Sequence, residues 1–457
     1  MQIPANLINK GLSIATASYF MNRRIRKTVK QANKSKFYNE RFKSLGINPN
    51  KIKNIGDLQK LVPITQRKDI SLKYRDPKDL LCVNPAKESL IYGSTSGSTT
   101  GEIVPVFMTL KELHKAVSLA MKLPVFSLLN RKDRVALCFP MVRTFAGRTA
   151  DLMVQKRGSM LIPLGTRTNI NPPIQVADTI CALKPTILGV IPSDGFAVAQ
   201  ILQDRGINPK SIGVNKVIIG AEPCAPSRME LLKEIWGADY IFNFAGQNEV
   251  GLPGIPCIHG KQHFPTIGMH IEMVSPKNDP DDEELEYIGT NEIGVPIITP
   301  IIRKAMPVLR YWSDDLVKLI PSSEGCSCGL PFPIYDLKGR KHTAIKPLSK
   351  GINDDILPIE LEEILFQKQE IKINGVWYRI ELWEDKVEIQ VEHRNKNETE
   401  ELMNFIIKRF EALLKVPISV EIVPIGTLYN YEDIRPGKPM SRIIDHRIGK
   451  GEYVESG

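Results

Sequence analysis

With 457 residues, 42% of them hydrophobic and 25% charged, the chain is too long for one typical core and too apolar for a disordered or fibrous protein, so two or three globular domains are expected. A formal net charge of +10 favours anionic partners without naming one, and no aromatic-rich basic platform accompanies it, which speaks against a nucleic-acid binder. No run of about 18 apolar residues marks a membrane span, and seven cysteines, an odd number, do not make a disulfide framework, which leaves reduced thiols or a metal site.

The first residues, MQIPANLINKGLSIATASYFMNRR, place their charges after the apolar part and lack a small-residue cleavage site, so a signal peptide is not expected and the protein reads as cytoplasmic. The densest basic cluster, RRIRKTVKQANKSK at 23–36, reads as a solvated helix face. Helical segments punctuated by Gly and Pro over 37–75 form an N-terminal cap. They lead into YGSTSGSTTGEIVPVFMT at 92–109, where glycines allow close backbone approach and Thr95, Ser96, Ser98, Thr99 and Thr100 offer donors that can wrap an anion. No Gly-Lys-Ser/Thr ends the run, so it is not a Walker loop.

Four apolar runs follow, VALCFP at 135–140, MLIPLG at 160–165, TILGVIP at 186–192 and KVIIGAEP at 216–223, with helical periodicity over 174–183 and 228–235. Strands alternating with helices predict an α/β fold whose large N-terminal domain holds a mainly parallel sheet layered with helices. Ligands of such sheets sit beyond the strand C-terminal ends, where GAEP and NFAGQNEVGLPG (243–254) fall. After Ile320, GCSCG and DLKGRKHT suggest a boundary, placed between 338 and 339, before a small α+β domain. Its strands are IKINGVWYRIELW, KVEIQVEH and PISVEIVP, and its 398–414 helix carries Leu402, Phe405, Ile406, Phe410, Leu413 and Leu414 on one stripe.

In this order, the 92–109 loop, PSDGFAVAQIL, GAEP, GQNEVGLPG, AMPVLRYWSDDLVKL, GCSCG, LKGR and EDIRPGKPMSRIID resemble the adenylate-forming superfamily, and within it the phenylacetate-coenzyme A ligase and coenzyme F390 synthetase-like branch. The resemblance implies a mobile C-terminal domain and a two-step reaction. A carboxylic acid attacks the α-phosphorus of Mg²⁺-ATP to give an acyl-adenylate and pyrophosphate, and a nucleophile, usually the thiol of coenzyme A, takes the acyl group. An amine or a carrier protein as acceptor, or a non-catalytic nucleotide-binding scaffold, stays open, as does a homodimer.

Carried onto this chain, the resemblance makes Lys438 the catalytic lysine and Glu249 the carboxylate associated with Mg²⁺. It assigns ATP and AMP to Thr95, Ser96, Gly97, Ser98, Thr99, Thr100 and Gly101, to Gly220, Ala221, Glu222 and Pro223, and to Phe244, Ala245, Gly246, Gln247 and Asn248, with Asp315 and Arg340 at the ribose. Arg143, Phe145 and Gly147 fall at the acyl pocket, and Cys257, His263, Cys326 and Cys328 match a structural Zn²⁺ site, with His259 as a competing imidazole. Cys82, Cys138, Cys181 and Cys224 read as small buried hydrophobes. The chain departs from the family pattern where Glu102 replaces a lysine, Ala245 a tyrosine, Asn248 a hydroxyl residue and His342-Thr343 an aspartate pair.

Overall fold

In the computed structural model the described residues are 14–95, 102–168, 171–348, 355–367, 377–393, 399–429, 442–447 and 452–453. Strands Arg134–Cys138, Ile187–Val190 and Lys216–Gly220 pair in parallel, in that order. Their near-continuous apolar sequences follow from burial of both faces, since Ala136, Leu188, Val217 and Ile219 are each at most 1% exposed. Helices Pro173–Leu183, Pro192–Asp204 and Pro226–Trp236 each open on a proline, whose missing N–H is harmless in a first turn. Pro226–Trp236 ends at Gly237, whose φ of 66° supplies the left-handed cap.

Between Gly251 and Ile320 the strands pair antiparallel. Gly251–Pro256 pairs with Gln262–His263, and Ile293–Pro300 pairs with both Met269–Val274 and Asp315–Ile320. The connection from 256 to 262 is too short for the crossover that parallel strands need. The protein is thus mixed α/β, with a large sheet-rich part and a smaller C-terminal sheet.

By internal packing the chain divides into two units. The first comprises Met1–Lys132, Pro140–Met160 and Asn243–Leu337. Its helices Ile14–Ala32, Lys36–Ser44 and Ile55–Leu61 bury Ile25, Phe42 and Leu58 in one core with Ile298 and Leu309. Arg310, at φ 48°, chelates the buried Glu272 carboxylate and donates to the carbonyls of Gln59 and Val62, which ties the helical cap to the sheet. The hairpin Leu90–Ser94 and Pro105–Thr109 carries the glycine-rich stretch at its tip.

The second unit comprises Asp133–Phe139, Leu161–Phe242 and Lys338–Gly457. It holds the parallel strands and a five-stranded sheet in the order Ile418–Val423, Val387–Glu392, Tyr378–Leu382, Ile443–Asp445, Glu452–Tyr453. Helix Thr399–Leu414 presents Leu402, Ile406, Phe410 and Leu414 fully to the core, while Phe405 and Leu413 flank the stripe half-buried.

Candidate active site

The site is built first from the neck of the glycine-rich loop. Ser96, Gly97, Ser98, Thr99, Thr100 and Gly101 lie outside the described residues. At their N-terminal side the Thr95 N–H donates to Val104 O at 3.1 Å, and Val104 N–H returns to Thr95 Oγ1 at 3.0 Å. Arg67 closes this neck: Nη2 donates to Thr95 Oγ1 at 2.7 Å and to Glu102 O at 3.1 Å, while Nη1 lies 3.9 Å from Glu249 Oε1. Sequence reasoning missed Arg67, which sits in ITQRKDI within the helical cap. The one signal for it was indirect, because Glu102 in place of a lysine left an anion-binding loop short of a cation.

Glu249 is 4% exposed, and its Oε1 accepts the Tyr311 hydroxyl at 2.8 Å. Beside it, the Asn248 amide donates to Ser94 O at 2.8 Å and accepts from Phe145 N–H at 3.0 Å. An amide carries both a donor and an acceptor at its tip, so asparagine ties the loop neck to the start of helix Phe145–Arg157. Arg303 donates to Asn248 O at 3.1 Å. Asp315, 5% exposed, accepts from Gln247 Nε2 at 2.7 Å and from the Tyr335 hydroxyl at 3.5 Å. Gln247 Oε1 is buried without a partner, an acceptor awaiting a donor.

Ala245 pairs with Gly254 and is buried in the core, so this position has no ring to offer a base. The Phe244 ring is 6.1 Å from that of Phe126, and Gly246 is exposed. At the acyl positions, Phe145 is core, whereas Arg143 is exposed at φ 67°, and its carbonyl accepts Ser94 N–H at 2.6 Å. Gly147 is required sterically, since a Cβ there would lie 2.4 Å from Pro140 O.

In the second unit, Gly220 ends a parallel strand, and Ala221 follows at φ 68°, a conformation that costs about 1 kcal/mol or more and concentrates at functional sites. Glu222 turns inward: Oε1 accepts from Arg442 Nη1 at 2.6 Å and Arg228 Nη1 at 3.3 Å, and Oε2 accepts Ser193 N–H at 3.0 Å. Burial alone would raise its pKa, but the two arginines and the amide outweigh that and hold it at about 2. Glu362 completes the cluster, accepting from Arg228 at 3.0 Å, Tyr378 at 2.7 Å and Ala225 N–H at 2.8 Å. Beside it a cleft is lined by Pro223, Gly339, Arg340, Thr343, Glu362 and Tyr378, which unites the predicted Pro223 and Arg340. Lys438 lies outside the described residues.

Cys257, His263, Cys326 and Cys328 converge, their ligand atoms all within 4.8 Å of one another. Cys257 and Cys326 sulfurs are 3.6 Å apart and Cys328 Sγ is 3.5 Å from His263 Nε2, close to the roughly 3.7 Å edge of a tetrahedron built on zinc–sulfur bonds. His263 Nδ1 donates to Phe332 O at 2.7 Å, which leaves the Nε2 lone pair for a metal. The residues therefore fit a Cys₃His zinc centre. His259 is exposed and outside this group.

Along nearly its whole length the chain is similar to a phenylacetate-coenzyme A ligase of Aromatoleum evansii, 26% identical over 428 residues that cover 87% of this chain and 90% of that protein. One from Pseudomonas putida is 24% identical over 412 residues, 86% of this chain and 87% of its own. The fold is that of a solved 2-hydroxyisobutyryl-coenzyme A ligase in complex with 2-HIB-AMP, at a TM-score of 0.81 and 18% identity over 95% of this chain and 90% of that one. No family model matches the chain.

Proposed function

We propose that this chain, a relative of the phenylacetate-coenzyme A ligases with the fold of an adenylate-forming coenzyme A ligase, uses ATP to activate a carboxylic acid. The acid's oxygen attacks the α-phosphorus of ATP, the bond from that phosphorus to pyrophosphate breaks, and the acyl-adenylate then passes its acyl group to the thiol of coenzyme A with release of AMP. The relatives' names support an aromatic or arylacetic acid. The observation that carries the reading is the Arg67 clamp, which gathers both ends of the glycine-rich loop and the Glu249 carboxylate around one cation, as handling a triphosphate requires.

In this reading Thr95 and residues 96–101 cradle the phosphates. Glu249, its Oε1 oriented by Tyr311, supplies the hard oxygen donor that magnesium prefers. Magnesium, when bound, offsets charge on the phosphates. The resemblance assigns Asp315 and Arg340 to the ribose and Gly220, Ala221, Pro223, Phe244, Gly246, Gln247 and Asn248 to the base, while Ala245 is buried in the core and Glu222 turns inward to hold its own turn. Lys438, in a functional domain of residues 339–457, lies between the carboxylate and the α-phosphate as charge builds there. Arg143 and the helix start at Phe145 and Gly147 serve the acid. Zinc on the Cys₃His group is structural. Buried free thiols at Cys82, Cys138 and Cys224 support a reducing, cytoplasmic setting.

ATP–pyrophosphate exchange against a panel of carboxylic acids tests the reading. Acid-dependent exchange is expected, lost in Lys438→Ala, with thioester formed once coenzyme A is added. Absence of exchange with every acid overturns it.

A further inference from the structure

Helix Ile14–Ala32 presents two different faces. Ile25, Thr28, Val29 and Ala32 are buried, each at most 4% exposed, and fix the helix to the first unit. At 3.6 residues per turn these four occupy roughly 100° of its circumference. The opposite face is open. Tyr19, 63% exposed, and Phe20, 48% exposed, set their rings edge to face 5.9 Å apart. Arg23, Arg24, Arg26, Lys27 and Lys30 are all exposed, and with the two rings they share an arc of roughly 160°.

Packing does not account for this open face. Arg23 and Lys27, and Arg26 and Lys30, stand one turn apart and repel each other, and no acidic residue occurs in the chain before Glu40 to offset them. Arg24 donates to Ile267 O at 2.6 Å, a carbonyl that leaves its charge uncancelled. That bond brings Ile267, 56% exposed, to the edge of the same face. Single exposed apolar residues are ordinary, but a cationic stripe that begins at an aromatic pair combines two binding chemistries.

An anionic bilayer surface uses both. Headgroup phosphates neutralise a cluster of four or more Lys and Arg on a helix, and aromatic rings settle at the boundary between headgroups and acyl chains. Stable peripheral attachment takes two such signals together. A nucleic acid would use the cations, but stacking on bases calls for rings interleaved with them, and here both rings precede the first cation of the stripe. We infer that the open face of helix Ile14–Ala32 docks the protein on an anionic phospholipid bilayer. The bilayer is touched and not crossed, since no helix among the described residues is long and apolar enough to span one. The inference is independent of the reaction proposed above.

The test is co-sedimentation of the full chain with vesicles of phosphatidylcholine alone and of phosphatidylcholine mixed equally with phosphatidylglycerol. Binding to the mixed vesicles only is expected, weakening in about 1 M salt, where the screening length falls to about 3 Å. Arg23→Gln combined with Lys27→Gln should lower the affinity about 25-fold, roughly fivefold per cation. Tyr19→Ser combined with Phe20→Ser, which leaves every cation in place, should lower it about 10-fold. All four positions are exposed, so both double variants should melt at the wild-type temperature. Binding that ignores lipid charge, or either double variant binding as tightly as the wild type, overturns the inference. So does a wild type that leaves the vesicles unbound, whether it binds polyuridylate instead or self-associates through this face.

Discussion

Arg67 gives the glycine-rich loop the positive charge that its own sequence lacks. A guanidinium offers a planar fork of donors, and here a hydroxyl and a carbonyl accept from it while a carboxylate lies 3.9 Å away as its ion-pair partner. Arg67→Ala should raise KM for Mg²⁺-ATP in the exchange assay by roughly 10-fold or more, as expected for losing charge-assisted hydrogen bonds worth about 1.5–3 kcal/mol, and Arg67→Lys should recover only part. An unchanged KM in Arg67→Ala would show that the clamp has no bearing on nucleotide. Residues with a family-like neighbourhood, such as Glu249, Asp315 and Cys257, were legible from the motifs around them. Arg67 was not, because its partners are 28, 35 and 182 positions away and nothing in ITQRKDI announces them. Asn248 was legible only as a departure; its reason, one amide serving both Ser94 O and Phe145 N–H, needs the fold.

Elements were legible where their periodicity was simple. The parallel strands announced themselves as short apolar runs, and helix Thr399–Leu414 as a stripe. Strands Met269–Val274 and Ile293–Pro300 were not read, since Pro296 and Pro300 argue against a central strand, yet they form a six-residue antiparallel ladder. That ladder buries His270 opposite Thr299, and burial together with the Arg310 charge lowers the imidazole to about 4. A base whose folded pKa lies below its unfolded value of 6.5 binds fewer protons when folded, so its destabilising effect is absent above 6.5 and grows as pH falls towards 4. Denaturant titrations from pH 7 to 4 should show the wild type losing about 3 kcal/mol relative to His270→Gln. Parallel curves for the two proteins would refute this. At the start of helix Phe145–Arg157, Gly147→Ala should cost about 2–3 kcal/mol, because the new methyl meets the Pro140 carbonyl, a backbone group that cannot swing aside. A melting temperature equal to that of the wild type would show that the turn yields.

At the scale of the whole molecule, net charge is a poor guide to the site. Eight cations precede the first acidic residue, Glu40, so a stretch that holds none of the residues assigned to the site supplies most of the formal +10. The cysteines say more. Three thiols and an imidazole from residues 257 to 328 converge in a chain whose seven described cysteines are all free. Burial pushes Cys328 up to about 12 and also raises Cys257, so without a cation these thiols favour their protonated form. A bound zinc ion reverses this, since thiolate ligation couples metal affinity to folding and ties strand Gln262–His263 to the 326–328 turn. Protein purified without chelator should carry one zinc per chain by elemental analysis. Stripping it, or making Cys328→Ser, should lower stability by roughly 3 kcal/mol, a drop of about 6–12 °C in Tm for a unit of this size, while the ATP–pyrophosphate exchange that remains at low temperature keeps its KM for ATP. Zinc-free protein with the same Tm as protein reloaded with zinc would sink the structural role, and a KM that moves with zinc content would assign the metal to the nucleotide instead.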